Sequence, residues 1–182
     1  FLVPAVGMRL WSEERKSGTI ELLFTLPITL WEALAGKFVA AWLFIGIALV
    51  LTFPMVLTVA YLGSPDYGII LSSYLGSFML AGSFLAVTCL FSAMTKNHVI
   101  SFVISVVACF AMLMLGVGVF TDFLNRYLPV WLSDAISAFS FFTHYQGFQR
   151  GLIDSRDLVY FISVIVFMLA ANALVLERKK AE

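Results

Sequence analysis

The chain has 182 residues, 62% of them hydrophobic and 12% charged, with a mean hydropathy of +1.00, whereas soluble domains are about 45–50% apolar and about 25% charged. So few charges leave too little polar surface to cover a water-soluble globule, which excludes a soluble enzyme fold, a disordered tail and a nucleic-acid binder. Eleven Lys and Arg balance eleven Asp and Glu, so no net basic charge points to nucleic acid or an anionic surface.

The first residues, Phe1-Leu2-Val3-Pro4-Ala5-Val6-Gly7, carry neither an initiator Met nor a basic leader region. They read as the end of an earlier span over 1–7 rather than as a signal peptide. From Met8 the chain turns polar, with Arg9, Glu13, Glu14, Arg15 and Lys16 close together. Gly18 then breaks the chain. Thr19-Ile20-Glu21-Leu22-Leu23-Phe24 forms a short amphipathic turn stopped by Pro27. A new helix is expected at Thr29, where Thr29 and Glu32 have the spacing of a reciprocal cap. Ile20, Leu23 and Phe24 on such a surface suit a partner's groove or, alternatively, the membrane surface.

Beyond this loop, charges cluster between long neutral runs. There are 28 uncharged residues between Lys37 and Asp66, 29 between Asp66 and Lys96, 25 between Lys96 and Asp122, and 19 between Asp157 and Glu177. A spanning helix needs about 20 residues at a rise of about 1.5 Å each. The runs predict four complete spans over 34–62, 68–93, 99–121 and 157–176, in a single domain covering 1–182. The fold class is an all-α integral membrane protein, a polytopic transmembrane helix bundle.

Lys and Arg near span ends set the orientation. Arg9, Arg15, Lys16, Lys37, Lys96, Arg178, Lys179 and Lys180 collect on one side, and Arg126, Arg150 and Arg156 on the other. The side with eight is expected to be cytoplasmic, placing the loop 8–33 and the tail 177–182 inside. The outer segment 122–156 contains an apolar stretch too short to span, flanked by Tyr127, Trp131 and Tyr145. It is expected to form a re-entrant or interfacial helical pair. Phe141, Phe142, His144 and Tyr145 in it are candidates for an outer gate, or for a lid that packs the span ends.

Other residues narrow the chemistry. Gly36-Lys37 is followed by Phe38, and position 31 is Trp31, so no phosphate-binding loop exists. No H-E-x-x-H occurs, and neither Cys89, Cys109, His98 nor His144 has partners at metal-ligand spacing. The cysteines are expected to act as small apolar side chains, and His98 as a polar loop residue. Small residues at four-residue spacing, Ser73, Ser77 and Ala81, then Gly82 and Ala86, then Ser101, Ser105 and Cys109, let helices approach closely. Pro54 predicts a kink, and Asn172 is a weaker mark of a moving helix. No intramembrane charge marks an ion pathway, which weighs against a secondary carrier or channel.

Met8-Arg9, Glu13-Glu14-Arg15, Gly18-Thr19, Glu21-Leu22-Leu23, Pro27 and Gly36-Lys37 resemble the cytoplasmic loop of ABC type-2 transporter permeases, especially the branch associated with gliding motility. Weaker resemblance continues through Gly63-Ser64-Pro65-Asp66, Thr95-Lys96-Asn97, His144, Gly151 and Asp157-Leu158-Val159-Tyr160-Phe161. The resemblance implies six spans preceded by an elbow helix, so that the elbow, the first span and most of the second are expected to lie before residue 1. It implies a coupling helix near 18–26, with Gly18, Thr19, Ile20, Glu21, Leu23 and Phe24 contacting the ATPase inside a frame of Arg9, Glu13, Glu14, Arg15 and Lys16. ATP and Mg would sit on a separate ATP-binding subunit, and this chain would bind no cofactor and perform no chemistry. The other partners implied are a second permease chain, an auxiliary membrane or periplasmic subunit, and lipids of a bacterial inner membrane. A non-transporting anchor of a motility or envelope complex is the alternative, because anchors also need docking loops.

Overall fold

The computed structural model describes residues 1–18, 29–127 and 129–180. Among them the secondary structure is helical throughout: α1 (Leu2–Gly7), α2 (Ser12–Ser17), α3 (Leu30–Val50), α4 (Phe53–Leu62), α5 (Tyr67–Met94), α6 (His98–Met114), α7 (Gly118–Tyr127), α8 (Val130–Ala138), α9 (Phe141–Gln149) and α10 (Ser155–Lys180). Short polar side chains start several of them by accepting the first free amides. Thr29 and Glu32 cap each other at α3, Asp66 accepts from Gly68 N at 2.9 Å, Asn97 from Val99 N at 2.9 Å, and Ser140 from Phe142 N at 3.1 Å.

Helix α5 is the hub against which α1, α3, α6, α9 and α10 pack. Its covered face is small: Ser72, Gly76, Ala81, Gly82, Ser83, Ala86, Ser92 and Ala93 are all buried. Backbones therefore approach where no aqueous hydrophobic force drives helices together. A β-carbon at Gly82 would lie 2.8 Å from the Trp42 indole, and one at Gly46 2.8 Å from the Phe78 ring. Trp42 stacks on Phe78 with centroids 4.6 Å apart and donates its Nε1–H to the Phe78 carbonyl at 2.9 Å. This lock joins α3 to α5. Behind it, Phe38, Ala41, Ile45, Leu85 and Ile165 fill the middle of the bundle.

Two departures from the sequence expectation have local causes. The run expected as one span over 34–62 is broken at Leu51-Thr52, because Pro54 lacks an amide proton for the Val50 carbonyl. Beyond the break α4 buries none of its residues. The helix expected over 99–121 stops at Met114 and the chain restarts as α7 at Gly118. At the turn, Gly116 lies against Ser140 and Thr143 so closely that a β-carbon would not fit, and the chain bends around that contact. Three helices, Leu30–Leu62 taken with its bend, Tyr67–Met94 and Ser155–Arg178, are long and apolar enough to cross a membrane. α6 has 17 residues, about 26 Å at the helical rise, just short of the ~30 Å hydrocarbon core. The outer segment is three short helices, α7 to α9, rather than a pair, and the segment expected as a tail from 177 continues α10 as far as Lys180.

The contacts sort the chain into two ends. Residues 8–18, 29–37, 93–98 and 173–176 meet at one, through Ser12–His98, Arg15–Ala93 and the cluster of Trp11, Leu34, Ala93 and Leu176. Thr52, Tyr74, Ser72 and Phe148 meet at the other.

Candidate functional site

The loop after α1 is fastened to the first end of the hub. Met8 to Leu10 turn the chain, and Trp11 enters the bundle with no exposed surface in a segment otherwise rich in charge. The Ser92 hydroxyl of α5 accepts the backbone amides of Trp11 and Ser12, each at 3.1 Å, and donates to the Met8 carbonyl at 2.9 Å. One side chain thus satisfies two backbone amides that a non-helical turn would leave unpaired and shares the Met8 carbonyl with the Ser12 hydroxyl. The Trp11 indole donates to Cys89 Sγ at 3.2 Å, and Asn172 Nδ2 of α10 donates to the same sulfur at 3.0 Å.

The outer layer of this anchor is ionic. Arg15 donates to the Ala93 carbonyl at 2.6 Å, near the end of α5. Lys37 of α3 pairs with Glu14, donates to the Leu10 carbonyl at 3.2 Å, and stands 4.2 Å from the centroid of the Trp11 ring. The Ser12 hydroxyl donates to the Met8 carbonyl, leaving its lone pairs for His98 Nδ1–H of α6 at 2.6 Å. The short helix α2 is therefore bonded to α3, α5 and α6 together. It ends at Gly18, whose φ of +73° only glycine adopts without strain.

Of the frame residues, Glu14 and Arg15 are half-buried and bonded as described, whereas Arg9, Glu13 and Lys16 are exposed. Gly18 is the last residue described before the expected coupling segment. Thr19, Ile20, Glu21, Leu23 and Phe24 lie outside the described residues.

The outer candidates occupy the other end. Phe141 is fully buried against Phe84, Tyr160 and Phe161, and Phe142 is half-buried. Tyr145 shares a hydrogen bond with Ser77 at 3.0 Å. His144 reaches Asp157 at 2.7 Å and the Ala138 carbonyl at 3.0 Å, and stacks on Tyr160. Phe141, His144 and Tyr145 join α9 to α5, α8 and α10. A separate cleft of about 530 Å3 opens beside the α3 to α4 bend, walled by Leu43, Ile47, Leu71, Leu75 and Phe78.

Sequence reasoning missed Trp11, Ser12 and Ser92 and underrated Cys89, His98 and Lys37. The one local signal was a Trp placed within a charged stretch. Among the described residues, no group of three or more His, Cys, Asp or Glu could hold a metal ion.

Apolar helices of spanning length around a small-residue hub, with a polar loop tied to one end, define a polytopic α-helical membrane protein. Residues 2–180 match the family described as ABC-2 family transporter protein, and the chain belongs to that family. Comparison with curated proteins and with solved structures gives no match. Family membership places the chain in a membrane, in the permease role of an ABC transporter. Such membrane domains lack an ATPase site of their own and typically work with an ATP-binding subunit.

Proposed function

We propose that this chain is the permease subunit of an ATP-driven exporter in a bacterial inner membrane, powered by a separate ATP-binding subunit docked on residues 18–26. The anchor on Ser92 supports this reading most directly. A push delivered beyond Gly18 passes through α2 into the end of α5, and α5 touches every other long helix of the bundle. Two permease chains would alternate between inward and outward openings as the ATPase pair closes and separates. ATP and Mg belong to the partner in this scheme, and the chain itself binds no cofactor. Assignment to the gliding-motility branch rests on the sequence resemblance of the loop.

Docking is tested in nanodiscs with the co-purified ATPase. If Leu23 fills a groove on that subunit, Leu23→Ala costs about 2 kcal/mol or more of association, the scale of an interface hot spot. Glu21→Arg weakens binding as well, while membrane insertion stays near wild type. A loop lying on lipid predicts the opposite for Glu21→Arg, which would be neutral or would tighten contact with anionic headgroups. Unchanged association and ATPase stimulation in both variants would remove the coupling assignment.

A further inference from the structure

The end of the bundle opposite the anchor holds a His–Asp pair. His144 lies on α9 with Nδ1 2.7 Å from Asp157 Oδ1 of α10 and Nε2 3.0 Å from the Ala138 carbonyl at the end of α8. A carbonyl oxygen only accepts, so Nε2 carries a proton. An ionised carboxylate also only accepts, so the contact to Asp157 requires a second proton, between Nδ1 and Oδ1. Both contacts are hydrogen bonds only when the pair holds one proton more than a neutral imidazole beside a carboxylate. The pair is mostly covered, with side-chain exposures of 11% and 15%.

We propose that His144 and Asp157 form a proton-binding latch that fastens α9, and with it the outer cap, onto α8 and α10. Loss of the proton to the solution leaves a neutral ring with one hydrogen for two acceptors. If Nε2 keeps it, the Nδ1 lone pair faces the carboxylate; if Nδ1 keeps it, the Nε2 lone pair faces the Ala138 carbonyl. Either way one bond becomes a repulsion. The surroundings commit the pair to this position. The ring stacks on Tyr160 with centroids 3.8 Å apart, and the Tyr160 hydroxyl donates to the Phe139 carbonyl at 2.5 Å. Asp157 Oδ2 sits where a β-carbon of Gly147 would be, 2.7 Å away, so only glycine on α9 lets the carboxylate this close.

A polar cavity of about 280 Å3, lined by Ser137, Thr143, Asp154 and Arg156 as well as the pair, gives the proton a route to solution. Asp154, Arg156 and Tyr160 are the titratable or charged groups that face the pair from the α9–α10 connection and α10, among the described side chains. From α5, α9 receives the hydroxyls of Ser72, Ser73 and Ser77, and from α6 it meets the Cys109 thiol in the cluster around Phe141. Arg150, at the C-cap of α9, is exposed. α9 carries Phe141 and Phe148, both fully buried, so releasing it loosens the packing of the outer end. The latch does not depend on the transport reading, and its test needs neither nucleotide nor ATPase.

The chain has only two histidines, so 15N-histidine labelling in nanodiscs reports two rings, and His144→Gln identifies the ring of interest. The expected spectrum shows both His144 nitrogens protonated at the acid end of a pH series and one of those protons lost at the alkaline end. Over the same interval, amide exchange of 141–149, normalised to the intrinsic rate at each pH, should rise about tenfold, as one charge-assisted hydrogen bond is lost. Asp157→Asn, whose amide can accept from a charged ring and donate to a neutral one, should abolish the pH dependence of that exchange. Should that variant fail to fold, the two wild-type titrations decide alone. A His144 ring that keeps one charge state throughout, or that titrates with no change in exchange of 141–149, overturns the latch.

Discussion

At Gly76 a β-carbon would stand 2.6 Å from both Cβ and Cγ of Phe148. Those atoms lie next to the α9 backbone, whose Phe148 carbonyl is already held by the Ser72 hydroxyl at 2.7 Å, so the contact has little room to give. Gly76→Ala should therefore destabilise the fold by about 1–3 kcal/mol, the usual cost of overpacking, read as a lower thermal midpoint in detergent. Ser92 presents the reverse case, a loss of contacts rather than of space. Ser92→Ala strips the partner from the Trp11 and Ser12 amides, while the Met8 carbonyl keeps the Ser12 hydroxyl, and each buried group left unsatisfied costs about 1–3 kcal/mol. Ser92→Thr retains a hydroxyl and should recover much of the loss. The measurement is trypsin cleavage at Arg9 and Arg15 in nanodiscs: faster in Ser92→Ala, near wild type in Ser92→Thr. Equal cleavage in both would mean that Ser92 does not hold the loop.

Taken together with its bend, the segment Leu30–Leu62 has 33 residues, about 50 Å if straight, against a hydrocarbon core of about 30 Å. A straight rod of that length would have to tilt steeply, and the break at Leu51-Thr52 provides another solution. Thr52 stabilises it by donating to the Leu49 carbonyl at 2.6 Å and bonding Tyr74 at 2.7 Å. Pro54→Ala restores the missing donor, and spin labels at Ala40 and Tyr61 should then move apart by several ångströms as the helix straightens. An unchanged distance would assign the bend to the Thr52–Tyr74 contact instead. This kink was legible in the sequence because proline acts locally, as was the Thr29–Glu32 cap. The end of α6 was not. Nothing in Met114-Leu115-Gly116-Val117 forbids a longer helix, and the stop comes from Ser140 and Thr143, distant in sequence.

Across the whole molecule, several of the cations grouped from charge alone lie at opposite ends. Lys37, Arg15 and Lys96 lie by the anchor, and Arg150 and Arg156 by the cap. If the richer end is cytoplasmic, single cysteines at Ser17 and Ala181 should resist an impermeant thiol reagent in intact cells, and one at Ser64 should react. Labelling of Ser17→Cys from outside would invert the assignment. Charge counting found the two ends because each cation declares its own solvent. It did not find the anchor, whose bonds join Trp11 and Ser12 to Cys89, Ser92 and His98, roughly eighty positions further along. The charged frame was visible as composition, but the division between Glu14 and Arg15, which are tied down, and Arg9, Glu13 and Lys16, which face out, arises only when α3 and α5 close around Trp11.

The polar, small-residue face of α5 also bears on how the chain is made. Of the three helices among the described residues able to cross a membrane it is the least apolar and the most covered. Ser72, Ser83, Thr88 and Ser92 on that face are fully covered in the finished fold. Some partners of these hydroxyls precede α5 in the chain, as Met8, Trp11 and Ser12 do for Ser92, and others follow it, as Phe148 does for Ser72 and Phe161 for Ser83. If helices pack as they are made, the end that carries the anchor closes on α5 before the end that carries the cap.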